Sequence, residues 1–270
     1  MNKLLKNKET ELKSILKDME SVIIAYSGGV DSALLAFMAN KSLGNKALAI
    51  TALSPSLASY ECDEAVNFAK EYSIQHMIIH TNEMDNPSYV ENSLNRCYFC
   101  KDELYKKLHV VAKMKNYKWV ASGTNVDDLG DFRPGIQAGK EHLIRNPLVE
   151  AKFTKKDIRE LSKIYHLPTS EKPAQPCLAS RIPYGNSVTI DSLKKISRSE
   201  KYLKELGFRQ LRVRHLDDIA RIEISDQDIS LIVREDIRNK IIDKFKEIGY
   251  QYITLNLEGF RSGSLNVKTS

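Results

Sequence analysis

The chain has 270 residues, a net charge of +6, 42% hydrophobic and 28% charged residues. That length holds one large or two modest domains, and the balance is that of a globular protein. No apolar run approaches a membrane span, and no signal-peptide core follows Lys3 and Lys6, so the expected location is the cytoplasm, without a membrane partner. The mild positive charge suits an anionic substrate or RNA, but a solvated lysine-rich surface accounts for it without either.

Residues 4–19 set Leu5, Leu12, Ile15, Leu16 and Met19 at helical spacing, which predicts an amphipathic helix. The run Val22 to Tyr26 reads as a buried strand, and 31–42 as a helix. Strands are then expected at 47–53, 76–80 and 119–122, with helices over Ser59–Tyr72 and Lys101–Lys115 between them. Strands separated by helices imply an α/β fold, a parallel sheet flanked by helices, with ligands at the carboxyl ends of the strands. Prolines 168, 173, 176 and 183 with Gly185 mark an ordered linker. After it come a helix over 189–206, strands at Gln210–His215 and Ile219–Ile224, a helix over 234–248 and a strand at 251–257. The expected organisation is residues 1–168 as the α/β domain, 169–185 as the linker, and 186–270 as a small α+β domain.

Between the first strand and helix stands Ser27-Gly28-Gly29-Val30-Asp31-Ser32. A glycine-rich turn there aims backbone N–H groups and the positive helix end at one point. Ser27 and Ser32 add hydroxyls, and Asp31 can help hold hydrated Mg²⁺. No lysine follows the second glycine, so this is not the GxxxxGK[ST] loop. It resembles the PP-loop, SGGxDS, of enzymes that split ATP between the α and β phosphates and transfer AMP. Ser54 and the turn Gly123-Thr124-Asn125 end two other strands, so they are expected to join the ATP pocket. Asp127, Asp128 and Asp131 are candidates for Mg²⁺ or the ribose; a solvated acidic loop is the alternative.

Cys97-Tyr98-Phe99-Cys100 sits just before a predicted helix, and Cys177 lies in Pro176-Cys-Leu-Ala-Ser-Arg-Ile-Pro-Tyr-Gly185. Thiolates at i and i+3 can share a metal or cluster. The remaining cysteine, Cys62, reads as a plain surface thiol. The chain is similar to the LarE family of ATP-dependent sulfur transferases, which help build the nickel-pincer cofactor of lactate racemase. The likeness is carried by the PP-loop, Asn95-Arg-Cys-Tyr-Phe-Cys-Lys-x-Glu-Leu-Tyr105, Gly123-Thr-Asn-x-Asp-Asp128, Arg133-Pro-Gly-x-x-Ala138, Asn146-Pro-Leu148, the Cys177 block and Leu211-Arg-Val-Arg-His215.

That resemblance implies adenylation of a pyridinium dicarboxylate mononucleotide and its conversion to a thiocarboxylate. In sacrificial members the cysteine matching Cys177 gives up its own sulfur; three-cysteine members hold a [4Fe–4S] cluster that carries an added sulfide. Cys97, Cys100 and Cys177 reproduce the three-cysteine pattern, and the upstream sulfur donor is not identified. A zinc site or redox disulfide is the bland alternative for these thiols. The resemblance also makes Glu200 a candidate acid/base, against a solvated helix carboxylate. Arg212 and Arg214, two apart on a strand, share a face and suit the substrate phosphate, with Arg261 as a possible third. Ser180 and Arg181 flank Cys177 and are assigned to the same pocket. The family favours a homo-oligomer. A PP-loop enzyme of tRNA thiolation is the competing reading, though no zinc ribbon or RNA-binding module is visible and a nucleic-acid partner is not expected.

Overall fold

The computed structural model describes residues 2–130, 134–173 and 175–261. The chain forms two compact units. The first comprises Met1–Ser54, Ser59–Asn86 and Asn95–Gln175; the second comprises Pro55–Ala58, Pro87–Leu94 and Pro176–Ser270.

In the first unit, α1 (Lys3–Met19) starts where the Asn2 side chain accepts the Leu5 N–H at 2.7 Å, and it buries Leu5, Leu12, Leu16 and Met19. Then follow β1 (Val22–Ala25), α2 (Val30–Leu43), β2 (Ala47–Leu53), α3 (Ser59–Glu71) and β3 (His76–His80). The long α4 (Arg96–Lys115), β4 (Trp119–Ser122), α5 (Pro134–Glu141) and α6 (Lys155–Ile164) complete it. The four strands are parallel in the order β3-β2-β1-β4. Period-2 alternation in β1 divides the core between the two sheet faces. Val22 and Ile24 pack with α1, α2 and α6, while Ile23 packs with Tyr105 and Leu108 of α4 and Ala138 of α5. Both faces are therefore covered, as a parallel sheet requires.

Three features depart from the sequence reading. The helix expected from Lys101 begins at Arg96, so Cys97 and Cys100 lie inside its first two turns rather than before it. Cys62 is not a surface thiol: α3 turns it inward with Ala65 and Ala69. Burial, with Asp63 nearby, pushes its thiol pKa up, which disfavours the reactive thiolate. Helix α6 was not anticipated, although Thr154-x-x-Asp157 forms a complete capping box at its start.

The second unit holds α7 (Ile190–Glu205), β5 (Leu211–Leu216), β6 (Ile219–Ile224), α8 (Glu235–Ile248) and β7 (Tyr252–Leu255). Thr189 and Ser192 form the capping box of α7. β5 and β6 make an antiparallel hairpin, and β7 returns parallel to β6 after the α8 crossover. Leu203, Phe208, Val213, Ile222, Ile241 and Phe245 fill its core. Among the described residues, no helix is long and apolar enough to cross a membrane.

Candidate functional site

The carboxyl edge of the first unit's sheet is built around the 27–32 loop. Gly28 has φ +72°, and a Cβ there would stand 3.1 Å from Ala65 Cβ, so both conformation and space demand glycine. Gly29 is the cap residue of α2 and is extended. The Ser32 hydroxyl ties the loop together: it accepts from the Ser27 N–H at 3.2 Å, donates to the Gly29 carbonyl at 3.2 Å and lies 3.2 Å from Ser27 Oγ. The remaining N–H groups of the first α2 turn form the positive end of the helix.

β4 pairs with β1 so that Ser122 lies opposite Ala25, which places Gly123 against the start of α2. A Cβ on Gly123 would fall 2.8 Å from Ser32 N and 3.1 Å from Asp31 C. Thr124 Oγ1 lies 2.8 Å from Ser122 Oγ. Buried Asn125 sends Nδ2 toward Asp31 Oδ1 at 3.4 Å, and its N–H donates to Asp128 Oδ2 at 3.0 Å. Asp31 also ion-pairs with Lys155, the first residue of α6, whose own N–H donates to Asp127 Oδ2 at 2.7 Å. The structure thus brings the 27–32 loop, Gly123 and Asp31 together with Asn125 and Lys155. Ser54 follows β2, half-buried, on the same sheet edge. Asp131 and Arg133 lie outside the described residues.

Sequence reasoning passed over Lys155 and Lys172. The capping box at Thr154 was a readable signal that Lys155 opens a helix; nothing local pointed to Lys172, whose Nζ donates to the Gly28 carbonyl at 3.0 Å.

In α4, Cys97 is exposed and Cys100 half-buried, one turn apart on one helix face. The Arg133-Pro-Gly-x-x-Ala138 pattern gains a packing explanation here. A Cβ on Gly135 would sit 3.0 Å from Lys101 Cγ and 3.6 Å from the Cys97 carbonyl, so only a small residue lets α5 lie against this turn. Among the described residues, no three His, Cys, Asp or Glu side chains are grouped to hold a metal ion.

The second unit carries the Cys177 segment. Cys177 is half-buried and heads a short 3₁₀ turn, Leu178–Arg181. The Leu178 N–H donates to the Ser56 carbonyl at 2.8 Å. Asn92, fully buried with φ +56°, donates from Nδ2 to the carbonyls of Pro183 (2.7 Å) and Asn186 (2.8 Å), and its own carbonyl accepts the Gly185 N–H. Arg181 is 1% exposed. Its Nε and Nη2 donate to the two oxygens of Glu200 at 2.9 and 3.0 Å, and its Nη1 donates to the carbonyls of Pro176 and Cys177 (3.1 Å to the latter) and to Ser180 Oγ. Glu200, equally buried, also accepts the Val213 N–H at 3.1 Å, so both its oxygens are engaged.

Arg214 is buried too. It donates to Glu223 Oε2 at 2.9 and 3.0 Å and to the Ser180 carbonyl at 3.0 Å. Arg212 is half-buried, with its guanidinium 5.0 Å from the Phe260 ring centroid. Arg261 is exposed, 3.6 Å from Glu258.

The NAD synthase family matches residues 4–114, the stretch that contains the loop and the first three strands. Over 264 residues the chain is 34% identical to pyridinium-3,5-bisthiocarboxylic acid mononucleotide synthase of Lactiplantibacillus plantarum, covering 97% of this chain and 95% of that protein. The chain belongs to the LarE family of PP-loop enzymes. It is also 44% identical over 263 residues to an uncharacterised protein of Synechocystis sp., covering 97% of this chain and 98% of the other. A second uncharacterised relative, from Methanocaldococcus jannaschii, is 35% identical over 262 residues, 97% and 98% of the two chains. The LarE likeness spans both units, whereas the NAD synthase match ends within α4. The nucleotide-binding half is thus shared more widely than the Cys177 and Glu200 half.

Proposed function

We propose that this LarE-family enzyme is an ATP-dependent sulfur transferase that adenylates a pyridinium carboxylate mononucleotide and converts it to the thiocarboxylate for the nickel-pincer cofactor. The observation that carries the reading is the near-full-length similarity to the Lactiplantibacillus synthase. The loop geometry supplies the first half of the chemistry. A carboxylate is a poor electrophile; attack of its oxygen on the α-phosphorus of ATP expels pyrophosphate and leaves an acyl adenylate. A sulfur nucleophile then attacks the acyl carbon and AMP departs. The α2 N-terminus and the Gly28–Gly29 amides suit the phosphates, Ser27, Ser32, Ser54, Thr124 and Asp128 surround the nucleotide, and Asp31 faces the Mg²⁺ that ATP carries.

The substrate phosphate falls to Arg212, with Arg261. Arg181 and Arg214, each held on a buried carboxylate, act on it indirectly by fixing the backbone of residues 176–181. Glu200 works through Arg181 in the same way. The first domain is the adenylating one, the Cys177 linker the sulfur-handling one, and the small α+β domain the phosphate-binding one.

For the sulfur, two accessible thiols on one helix face are the donor type that an iron–sulfur cluster takes, so Cys97 and Cys100 fit as ligands, with Cys177 as the third by its chemistry. A [4Fe–4S] cluster on three thiolates supplies one iron able to carry a sulfide. After anaerobic reconstitution the wild type should contain about four irons per chain. Cys97→Ala should lose that iron along with its visible absorption.

One contact favours the sacrificial route instead. Arg181 Nη1 donates to the Cys177 carbonyl at 3.1 Å. A guanidinium there stabilises negative charge on that oxygen when a base takes the Cα proton. The electron pair left behind forms the Cα–Cβ double bond, the Cβ–Sγ bond breaks, and sulfur departs as the thiocarboxylate, leaving dehydroalanine. Mass spectrometry after one turnover distinguishes the routes, because only sacrifice removes H₂S from the chain.

The reaction itself is tested by pyrophosphate release. Release from Mg-ATP should require the pyridinium carboxylate mononucleotide. Release with tRNA and none with that acceptor would overturn the reading in favour of RNA thiolation.

A further inference from the structure

The 27–32 loop has no lysine of its own, yet a triphosphate brings several negative charges to it. Two lysines from the far end of the first unit are folded onto that loop. Lys155 ion-pairs with Asp31, 124 positions away in sequence. Lys172, 144 positions from Gly28, donates from Nζ to the Gly28 carbonyl at 3.0 Å and meets Glu64 Oε2 at 2.7 Å. Its side chain is only 14% exposed, so this ammonium is partly desolvated against the loop while its carboxylate partner Glu64 is 53% exposed. The backbone of Lys155 is separately pinned through its N–H on Asp127, which leaves the long side chain able to swing without moving α6.

We propose that Lys155 and Lys172 are the phosphate-binding cations of this ATP site, supplying from outside the loop the charge that a GxxxxGK[ST] loop carries within it. The inference rests on the reading that the loop binds ATP. Lys155 balances Asp31 in the structure described here. With Mg-ATP bound, Asp31 would face the metal and the Lys155 ammonium would be free to meet the phosphate oxygens. Lys172, already held on the Gly28 carbonyl, reaches the same phosphates from the loop backbone. Both contacts are charge-assisted, and lysine serves phosphate as a compact point charge. They act on the β and γ phosphates, the part that leaves as pyrophosphate, so they discriminate ATP from AMP.

Calorimetric titration of the full chain with Mg-ATP and with AMP tests this, using wild type, Lys155→Gln and Lys172→Gln with melting temperatures recorded. Each substitution should weaken ATP by roughly 10- to 100-fold, the loss expected for one charged hydrogen bond, and leave AMP within about twofold. ATP affinity equal to wild type in both variants overturns the inference and leaves the ATP-site reading standing. Equal losses of ATP and AMP also overturn it, since the lysines would then only shape the loop. A wild type that binds no ATP overturns the ATP-site reading itself. Should a variant fail to fold, amine acetylation of the wild type decides: ATP, and not AMP, should shield Lys155 and Lys172, and absent shielding counts against the inference.

Discussion

Glu200→Ala should be the most destabilising single substitution in the second unit. It removes the carboxylate that balances Arg181 and leaves a guanidinium buried at 1% exposure, together with the Val213 N–H that Glu200 accepts. Breaking a buried pair from one side costs about 3–5 kcal/mol, because the remaining charge keeps its desolvation penalty. Thermal and urea unfolding would read the loss. Glu200→Gln keeps the volume but turns an NH₂ toward donors on Arg181 or Val213, so it should fall between wild type and Glu200→Ala. The decisive control is the double change Arg181→Met with Glu200→Leu. Removing both charges for apolar groups of similar size should recover most of the stability. It should not recover sulfur transfer, because the carbonyls of Pro176 and Cys177 lose the donor that fixes them. A double variant as active as wild type would show that this pair does not position Cys177.

Gly123→Ala should cripple the first unit's site without touching any proposed ligand side chain. Its Cβ would lie 2.8 Å from Ser32 N, 3.0 Å from Ser32 Cα and 3.1 Å from Asp31 C. All three are backbone atoms, so no side chain can rotate out of the way. Either the start of α2 retreats or the 123–125 turn is pushed off β4, and both distort the phosphate cradle. Overpacking of this kind costs about 1–3 kcal/mol of stability. Misplacement of the amides and Asp31 should lower ATP affinity by about tenfold or more, the equivalent of one hydrogen bond to a charged group. Gly130→Ala is the matched control, since a Cβ there meets nothing within 4 Å. Nucleotide titration of the two variants checks the point: equal affinities would mean that the cradle tolerates the shift.

Much of the fold was legible because its signals are local. β2 and β3 fall at the strands expected over 47–53 and 76–80, and the Gly28–Gly29 turn announces the helix that follows. The start of α4 was not legible. Residues 96–100 include two cysteines and two aromatics, poor helix formers by propensity, and packing of α5 through Gly135 onto this turn overrides that preference. The inward turn of Cys62 was hidden because charged neighbours in sequence lie around it while its helical neighbours Ala65 and Ala69 face the core. At the candidate site the sequence reading named candidate residues but not their pairing. Arg181 with Glu200, Arg214 with Glu223, and Asp31 with Lys155 are contacts made by folding, and no spacing rule reports which arginine is spent on a carboxylate. The glutamate expected as an acid/base candidate has both oxygens committed to Arg181 and the Val213 N–H.

The clasp made by Asn92 has a consequence in time. It stands 90 residues ahead of Ile182, the first carbonyl it reaches. At ribosomal rates of about 5–20 residues per second, that stretch takes roughly 5–20 seconds to synthesise. Through that interval the Asn92 side-chain amide waits for the carbonyls of Pro183 and Asn186, while its backbone N–H already reaches Tyr89. The nascent chain lays down the floor of the Cys177 segment well before the segment itself exists. Order around Cys177 is therefore a late event in the life of each molecule, reached only after the intervening chain has been made.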